Sequence, residues 1–273
     1  MNKGTVAVAM SVYCADNPKF VKEAIESILN QSYTSFTLYI AVDGQVGKHL
    51  SSCLRDYESN HKIELLYFPE NNGLAQRLND IIKIASENRF KYLARMDADD
   101  VSYTKRLETQ VEYLEKNPQV DVLGSGLNEI NEDGSFLFKK LAVQEHKILV
   151  KNIIKKCPFN HPTVVFKMSI FSKEGFRYKS ELKNTQDYYL WVDLLAAGKV
   201  FSNIEKPLLD FRIDDNFYKR RGLNKAINDF KSRLYAMKHL NNRSLTNLVH
   251  VLVLFSLRVS PPVIKKFAYK YLR

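Results

Sequence analysis

The chain has 273 residues, 45% of them hydrophobic and 26% charged, which is an ordinary globular mix and enough for one large domain or a catalytic domain with an appendage. Ten glycines and eight prolines exclude collagen-like or low-complexity sequence, and three scattered cysteines (Cys14, Cys53, Cys157) without a C-x-x-C pair exclude zinc knuckles and redox motifs and read as reduced thiols. The net charge of +11 is unevenly placed: residues 216–273 carry thirteen Lys and Arg against one acid, Asp229, so the tail is +12 and residues 1–215 are −1.

The first twelve residues hold one Lys and run directly into a strand pattern, so no signal peptide is expected. Residues 5–12 form an apolar run suited to a buried strand. Asp16 and Asn17 offer an N-cap before Pro18, and Val21, Ala24, Ile25 and Ile28 follow at helical spacing. Residues 36–42 are a second strand that stops at Asp43-Gly44. Leu50, Cys53, Leu54 and Tyr57 mark a second helix, and residues 63–68 a third strand. The loop Pro69-Glu70-Asn71-Asn72-Gly73 leads into a third helix through Leu74, Leu78, Ile81, Ile82 and Ala85. Residues 92–96 are a fourth strand that runs into Asp97-Ala98-Asp99-Asp100. This alternation predicts a mostly parallel sheet with helices on both faces. Ligands of such sheets bind beyond the carboxyl ends of the strands, so Tyr13, Asp43, loop 69–73 and residues 97–100 should share one rim. Farther on, residues 120–125 and 163–166 read as strands and Asp133-Gly134 as a hairpin turn. Residues 185–197 read as a helix with Trp191, Leu194 and Leu195 inward. After Ile213 the chain is basic and helical, broken at Pro261-Pro262.

Asp97-x-Asp99 at a strand end is the centre of the chemistry. Two carboxylates one residue apart can bind a hard divalent ion and sugar hydroxyls together, because Mg²⁺ or Mn²⁺ is commonly held by one or two carboxylates plus substrate phosphates. Such an ion on a diphosphate would stabilise the charge of a departing nucleotide. An isolated D-x-D is often a turn or a pair of solvated acids; its place after the fourth strand gives it weight.

At these residues the chain resembles the family 2 glycosyltransferases. Val8-Ala9-Met10-Ser11-Val12-Tyr13 is similar to the family's opening strand, as is the stretch from Ala24 to Tyr33 to the helix after it. The run from Phe36 to Gly44 is similar to its second strand and acidic turn. Asn72-Gly73-Leu74-Ala75 with Asn79, the D-x-D and Lys105-Arg106-Leu107 follow in order, then Asn160-His161-Pro162-Thr163 and Gln186-Asp187 in the acceptor half. The resemblance covers about residues 5–240 and implies a GT-A fold: an α/β class, with a Rossmann-like nucleotide-binding half (1–104), a mixed-sheet acceptor half (105–215) and a basic helical C-terminal extension (216–273). It implies that Ser11 and Tyr13 contact the base, Tyr13 by stacking, and that Asp43 reads the uracil edge. Asp97 would hold the ribose or donor sugar, and Asp99, with Asp97, would hold Mn²⁺ or Mg²⁺. Asp187 would be the general base, with His161 and Gln186 on the acceptor side; one of Arg212, Arg220 and Arg221 would cover the diphosphate, with Arg77 and Arg95 similar in kind. An inverting transfer needs one carboxylate to take the acceptor proton. Cys14 stands in place of the usual Asn, Val42-Asp43 in place of paired acids, and Gln186 in place of a commoner Glu, which leaves Asp187 as the one carboxylate there.

Plainer readings stand beside these. Tyr13 can pack at a strand end, Asp43-Gly44 can be an ordinary turn, and Asp187 can be a helix N-terminal acid. His161 can be structural, and Arg212, Arg220 and Arg221 a solvated run. The Asn160–Thr163 motif with Asp210-Phe211-Arg212 and Lys219-Arg220-Arg221-Gly222 is similar to bacterial O-antigen and capsule transferases, which often add galactose or glucose in β-1,3 linkage to lipid-linked GlcNAc. A UDP-sugar donor and an undecaprenyl-diphosphate-linked saccharide acceptor follow from that resemblance, with a cytoplasmic location on the inner membrane face. Residues 245–259 are too short to span a bilayer, and residues 263–272 read as an amphipathic basic helix, Ile264, Phe267, Ala268 and Tyr271 against Lys265, Lys266 and Lys270, suited to an anionic membrane surface or, with 245–259, to a hairpin docked on the core. A nucleotidyltransferase of related fold is disfavoured, since residues 11–19 hold no Gly, and no G-x-G-x-x-G marks a dinucleotide oxidoreductase. Nucleic-acid binding through the tail is a further alternative, opposed by the near-neutral body and apolar tail; no nucleic-acid partner is expected.

Overall fold

The computed structural model describes residues 4–182, 184–213 and 223–260. Strands β1 (Val6–Tyr13), β2 (Phe36–Asp43), β3 (Ile63–Phe68) and β4 (Tyr92–Arg95) alternate with helices α1 (Pro18–Leu29), α2 (Lys48–Arg55) and α3 (Leu74–Glu87). The strands pair in parallel in the order β3-β2-β1-β4. The two-residue period of β1 sends Ala7 and Ala9 to a core with Leu78, Ile81 and Trp191, and Val6, Val8, Met10 and Val12 to a second core with Ile25, Ile28 and Leu54. Both faces of the sheet are thus covered, as a parallel sheet requires. At the start of α1, Asn17 alone is the cap: its side chain accepts the Lys19 N–H at 3.0 Å. Asp16 turns away and accepts the Tyr13 N–H at 2.9 Å.

The second half extends the sheet. After β5 (Val101–Ser102) and α4 (Arg106–Lys116) come β6 (Val122–Ile130), β7 (Phe136–Lys140), α5 (His146–Asn152), a 3-10 turn (His161–Thr163), β8 (Val165–Lys167), α6 (Ser169–Ser172), α7 (Gln186–Ala196) and β9 (Phe201–Arg212). Among the described residues one nine-stranded sheet runs β3-β2-β1-β4-β8-β6-β9-β5, with β7 paired to β6. Strand β8 is antiparallel to β4 and β6, and β6 is parallel to β9, so the sheet is mixed.

Two expectations are corrected here, and one strand is added. The strand expected at 120–125 runs on to Ile130. Its Gly124-Ser125-Gly126 looks like a breaker but permits close approach: a Cβ on Gly126 would lie 2.5 Å from the Glu205 carbonyl oxygen. Residues 163–166 are not one strand, since the 3-10 turn ends at Thr163 and β8 starts at Val165. Strand β9 was not expected, because exposed Glu205 and Lys206 ahead of Pro207 interrupt its alternation, and its pairing with β6 shifts register there.

The chain after β9 does not stand apart from the body. Helix α8 (Leu223–His239) packs on α7, and α9 (Leu245–Val259) on α8. Ala236, Met237 and Val251 are buried in the core that holds Trp191, and Phe230 and Phe255 meet ring to ring at 5.2 Å. Helices α8 and α9 thus form a docked pair, whereas the hairpin expected of residues 245–272 lies partly outside the described residues. The basic segment 263–272, Arg220 and Arg221 lie outside the described residues. No described helix is long and apolar enough to cross a membrane.

Candidate active site

Parallel register brings the expected rim together. Tyr13 pairs with Asp43, Asp43 with Phe68, and Ala9 with Arg95, so the ends of β1 to β4 lie side by side. Ser11 is half-buried in β1, and Tyr13 is 40% exposed at its end, a ring open to solvent on the rim.

Asp43 is buried, and its two oxygens are taken by the chain. One accepts the Asn72 N–H at 2.9 Å and pairs with Arg77 Nε at 3.0 Å; the other accepts the Gly73 N–H at 2.8 Å. Arg77 lies behind the loop rather than facing the cleft. It is 3.0 Å from Asp43 and 3.1 Å from Asp80, with its guanidinium 3.8 Å above the Phe68 ring. These two residues, expected at the nucleotide, fix the 69–73 loop.

At the end of β4, Arg95 is fully buried. It donates to the carbonyls of Ala9 (2.9 Å) and Met96 (2.8 Å) and pairs with Asp97, which stays partly open at 29%. Asp99 is exposed, while Asp100 is buried and accepts the Arg212 N–H at 3.0 Å. Burial, with Asp99 and Asp97 adding to it, holds Asp100 well above the usual carboxylate range. Burial chiefly, then the same two neighbours, pushes Asp16 up to about 7. Burial is the main cause of both shifts and Asp97 and Asp99 add to them; acidic groups crowd this rim, and a divalent cation there would favour their charged forms. Among the described residues no cluster of three or more His, Cys, Asp or Glu forms a metal cage. An exposed Asp99 beside Asp97 fits an ion that arrives with a phosphate and takes most ligands from it.

Arg212 is not a solvated cation. It is buried, donates to the Asp99 carbonyl (2.9 Å) and the Glu132 carbonyl (3.0 Å), and pairs with Glu23 at 2.6 Å, so it locks β9 to the turn after β4.

The opposite wall comes from the second half. Asp187 lies in the first turn of α7, half-buried, next to Gln186. Thr185 before it is left-handed (φ 66°), an unusual state for a β-branched residue. Burial raises the Asp187 carboxyl above its ordinary value; its own and the Tyr188 N–H groups and Lys225 oppose this, and Asp97 adds to it. Asp187 and Asp97 are thus within electrostatic reach of each other. Gln186 Oε1 is buried without a hydrogen-bond partner among the described residues.

His161 sits beneath this wall. Its Nε2 is 2.9 Å from Tyr178 Oη and 3.4 Å from Arg95 Nε. Burial, with Arg95 adding, holds the imidazole well below its ordinary value, hence neutral. Arg106, fully buried in α4, donates to the carbonyls of Arg95 (2.7 Å) and Pro162 (2.9 Å) and so ties the two halves together. Sequence reading missed Asp16, Arg106 and Tyr178 as parts of this site. Asp16 was hidden by its resemblance to a helix cap, Arg106 was read only as part of the Lys105-Arg106-Leu107 motif, and Tyr178 carried no local signal.

With this geometry, comparison with known proteins is informative. The glycosyl transferase family 2 profile matches residues 7–178. The O-antigen biosynthesis glycosyltransferase WbnJ of Escherichia coli is 30% identical, over 92% of this chain and 94% of that protein. The E. coli UDP-Gal:α-D-GlcNAc-diphosphoundecaprenol β-1,3-galactosyltransferase is 28% identical, over 97% of this chain and 94% of that one. In fold, the chain is similar to S. aureus TarS (residues 1–349) solved in complex with UDP, with a TM-score of 0.64 at 16% identity over 93% of this chain and 71% of that one.

Proposed function

The chain belongs to glycosyltransferase family 2 and has the GT-A fold, and from that premise we propose an inverting transfer of a hexose from a UDP-sugar to a saccharide hydroxyl carried on a polyprenyl diphosphate. The product would enter a surface polysaccharide such as O-antigen. The names of the two E. coli relatives, a UDP-Gal-dependent transferase to a diphosphoundecaprenol-linked GlcNAc and an O-antigen biosynthesis glycosyltransferase, support this choice of donor, acceptor and pathway class.

One observation carries the reading: the parallel register of β1 to β4 sets Ser11, Tyr13, Asp97 and Asp99 on one rim, and burial raises the carboxyl of Asp187, in the first turn of α7, above its ordinary value. A base tuned upward is suited to accept a hydroxyl proton near neutral pH. In the reaction, the acceptor oxygen attacks C1 of the sugar while Asp187 takes its proton. The bond from C1 to the diphosphate oxygen breaks from the opposite face, and UDP leaves. Ser11 and Tyr13 would meet the base, Tyr13 by stacking, with Asp43 and Arg77 holding the 69–73 loop against it. Asp97, steadied by Arg95, would orient the ribose or sugar. Gln186 would accept from an acceptor hydroxyl, and His161 would hold the wall beneath. Arg220 and Arg221 are proposed at the diphosphate on the sequence pattern alone. Asp99, with Asp97, would hold Mn²⁺ or Mg²⁺, which when bound neutralises diphosphate charge. A lipid-linked acceptor places the work on the cytoplasmic membrane face. Exposed Leu245, Val249, Leu252 and Val253 of α9 and the basic end of the chain support contact with an anionic surface.

The test is calorimetric titration of UDP with and without Mn²⁺, for the wild type and Asp99→Ala. Metal-dependent binding that is lost in the variant is expected. Absence of UDP binding under every metal condition would remove the donor assignment.

A further inference from the structure

Away from the donor rim, the acceptor half carries a basic and apolar face that the charge balance of the whole chain conceals. Residues 136–156 hold six lysines and one acid, Glu145, although residues 1–215 together are −1. Within this stretch lies a cleft of about 260 Å³ between the segment after β7, α5 and residues 155–160. Leu141, Val143, Ile148 and Leu149 give it an apolar lining, and Lys155 and Lys156 stand exposed on its border. The apolar surface is continuous in sequence with β7, where Phe136, Leu137 and Phe138 are 61%, 51% and 42% exposed. Surfaces of this kind on one contiguous stretch mark a binding site more often than a chance scatter.

The cleft is joined to the candidate base. Tyr188, next to Asp187, donates its hydroxyl to the Ile153 carbonyl at 2.8 Å, and Arg233 of α8 donates to the same oxygen at 2.8 Å. Cys157 and Asn160 line the cleft; Cys157 is close enough to Asp187 that the carboxylate, after burial, pushes the thiol up to about 11.

We propose that this cleft holds the diphosphate and first isoprenoid units of the acceptor lipid, with Lys155 and Lys156 on the phosphates and Leu141, Ile148 and Leu149 on the chain. The inference rests on the diphospholipid acceptor proposed above. Its basis is complementarity of two kinds at once. A soluble sugar phosphate has no use for the leucine and isoleucine wall, and a neutral lipid has none for the lysines; an anionic amphiphile matches both.

The probe is farnesyl diphosphate, titrated calorimetrically into the full chain at saturating UDP and Mn²⁺, so that the donor site is filled, and again without UDP. Binding at least tenfold tighter than that of inorganic pyrophosphate is expected. The double variant Lys155→Glu/Lys156→Glu should weaken farnesyl diphosphate at least tenfold. Leu141→Ser/Ile148→Ser should bring it down to the affinity of pyrophosphate. UDP affinity and the thermal midpoint should be unchanged in both, and with a diphospholipid acceptor KM should rise while kcat holds. The proposal is overturned if wild type does not bind farnesyl diphosphate, if pyrophosphate binds equally well, or if the lysine variant binds as wild type does. Loss of UDP binding alone would instead sink the donor reading and leave the cleft to be judged on the titration without UDP.

Discussion

The donor rim and the lysine-rich wall of the acceptor half are built by opposite means. On the donor rim, Asp43 and Asp97 pair with Arg77 and Arg95, and Asp100, held well above the usual carboxylate range by burial, accepts the Arg212 N–H. On the acceptor wall, Lys155 and Lys156 are exposed, and the segment before them is held through the Ile153 carbonyl, by Tyr188 and Arg233. A wall of buried ion pairs is preorganised and loses much if one partner is removed. A wall of exposed lysines on an anchored backbone tolerates substitution and adapts to a flexible ligand. The difference suits a rigid nucleotide on one side and a lipid carrier on the other.

The strongest way to separate the walls is Asp187→Asn. Removing the proposed base should lower kcat by about 10²- to 10⁴-fold, with UDP affinity unchanged by calorimetry. Equal loss of UDP binding would mean that Asp187 serves the donor side. The pH profile adds to this. A carboxyl raised by burial is protonated, and so inactive as a base, up to a higher pH than an ordinary aspartate. The acid limb of kcat should therefore sit above the usual aspartate value of 3.8, and a limb at or below that value would contradict the assignment.

How much of this was open to reading without coordinates depends on the range of the interaction. The strands β1 to β4 and the gathering of Tyr13, Asp43 and residues 97–100 on one rim were legible, since short apolar runs and Asp-Gly or Asn-Gly turns are local signals. The partners that immobilise those acids were not. Arg77 reaches Asp43 from 34 positions away and Arg212 reaches Asp100 from 112 positions away, and nothing near either arginine announces the pairing. Strand β9 escaped because Pro207 and the register shift opposite Gly126 break its alternation. The lysine-rich stretch 136–156 vanished into a sum: its +5 is cancelled by acids elsewhere in the first 215 residues, and only the fold sets it apart as a face.

Arg106→Met tests whether the two walls are one mechanical unit. The side chain is fully buried and satisfies the carbonyls of Arg95 and Pro162, one on each wall. Leaving both unpaired should cost about 2–6 kcal/mol, at about 1–3 kcal/mol for each buried acceptor, read from the urea midpoint. UDP affinity and acceptor KM should worsen together in this variant, unlike in Asp187→Asn. If stability falls while only one ligand is affected, Arg106 belongs to that wall and does not join them.

The smallest effect concerns the hinge between the walls, His161. Its imidazole is held neutral in the folded chain by burial and by Arg95, and its ordinary value is 6.5. Above that pH both folded and unfolded states are neutral at this position, so it adds no pH dependence. As pH falls below 6.5, the unfolded chain binds a proton that the folded chain refuses, and stability declines until the folded value is reached. At pH 5.5 the penalty should be about 1 kcal/mol, given about 1.4 kcal/mol per pH unit for one proton. His161→Gln keeps a polar group facing Tyr178 Oη and removes the titration. Urea unfolding at pH 7.5 and 5.5 should then show the wild type losing about 1 kcal/mol more than the variant. An identical loss in both would mean that His161 is charged in the fold, with Arg95 tolerating a second cation at the junction of the walls.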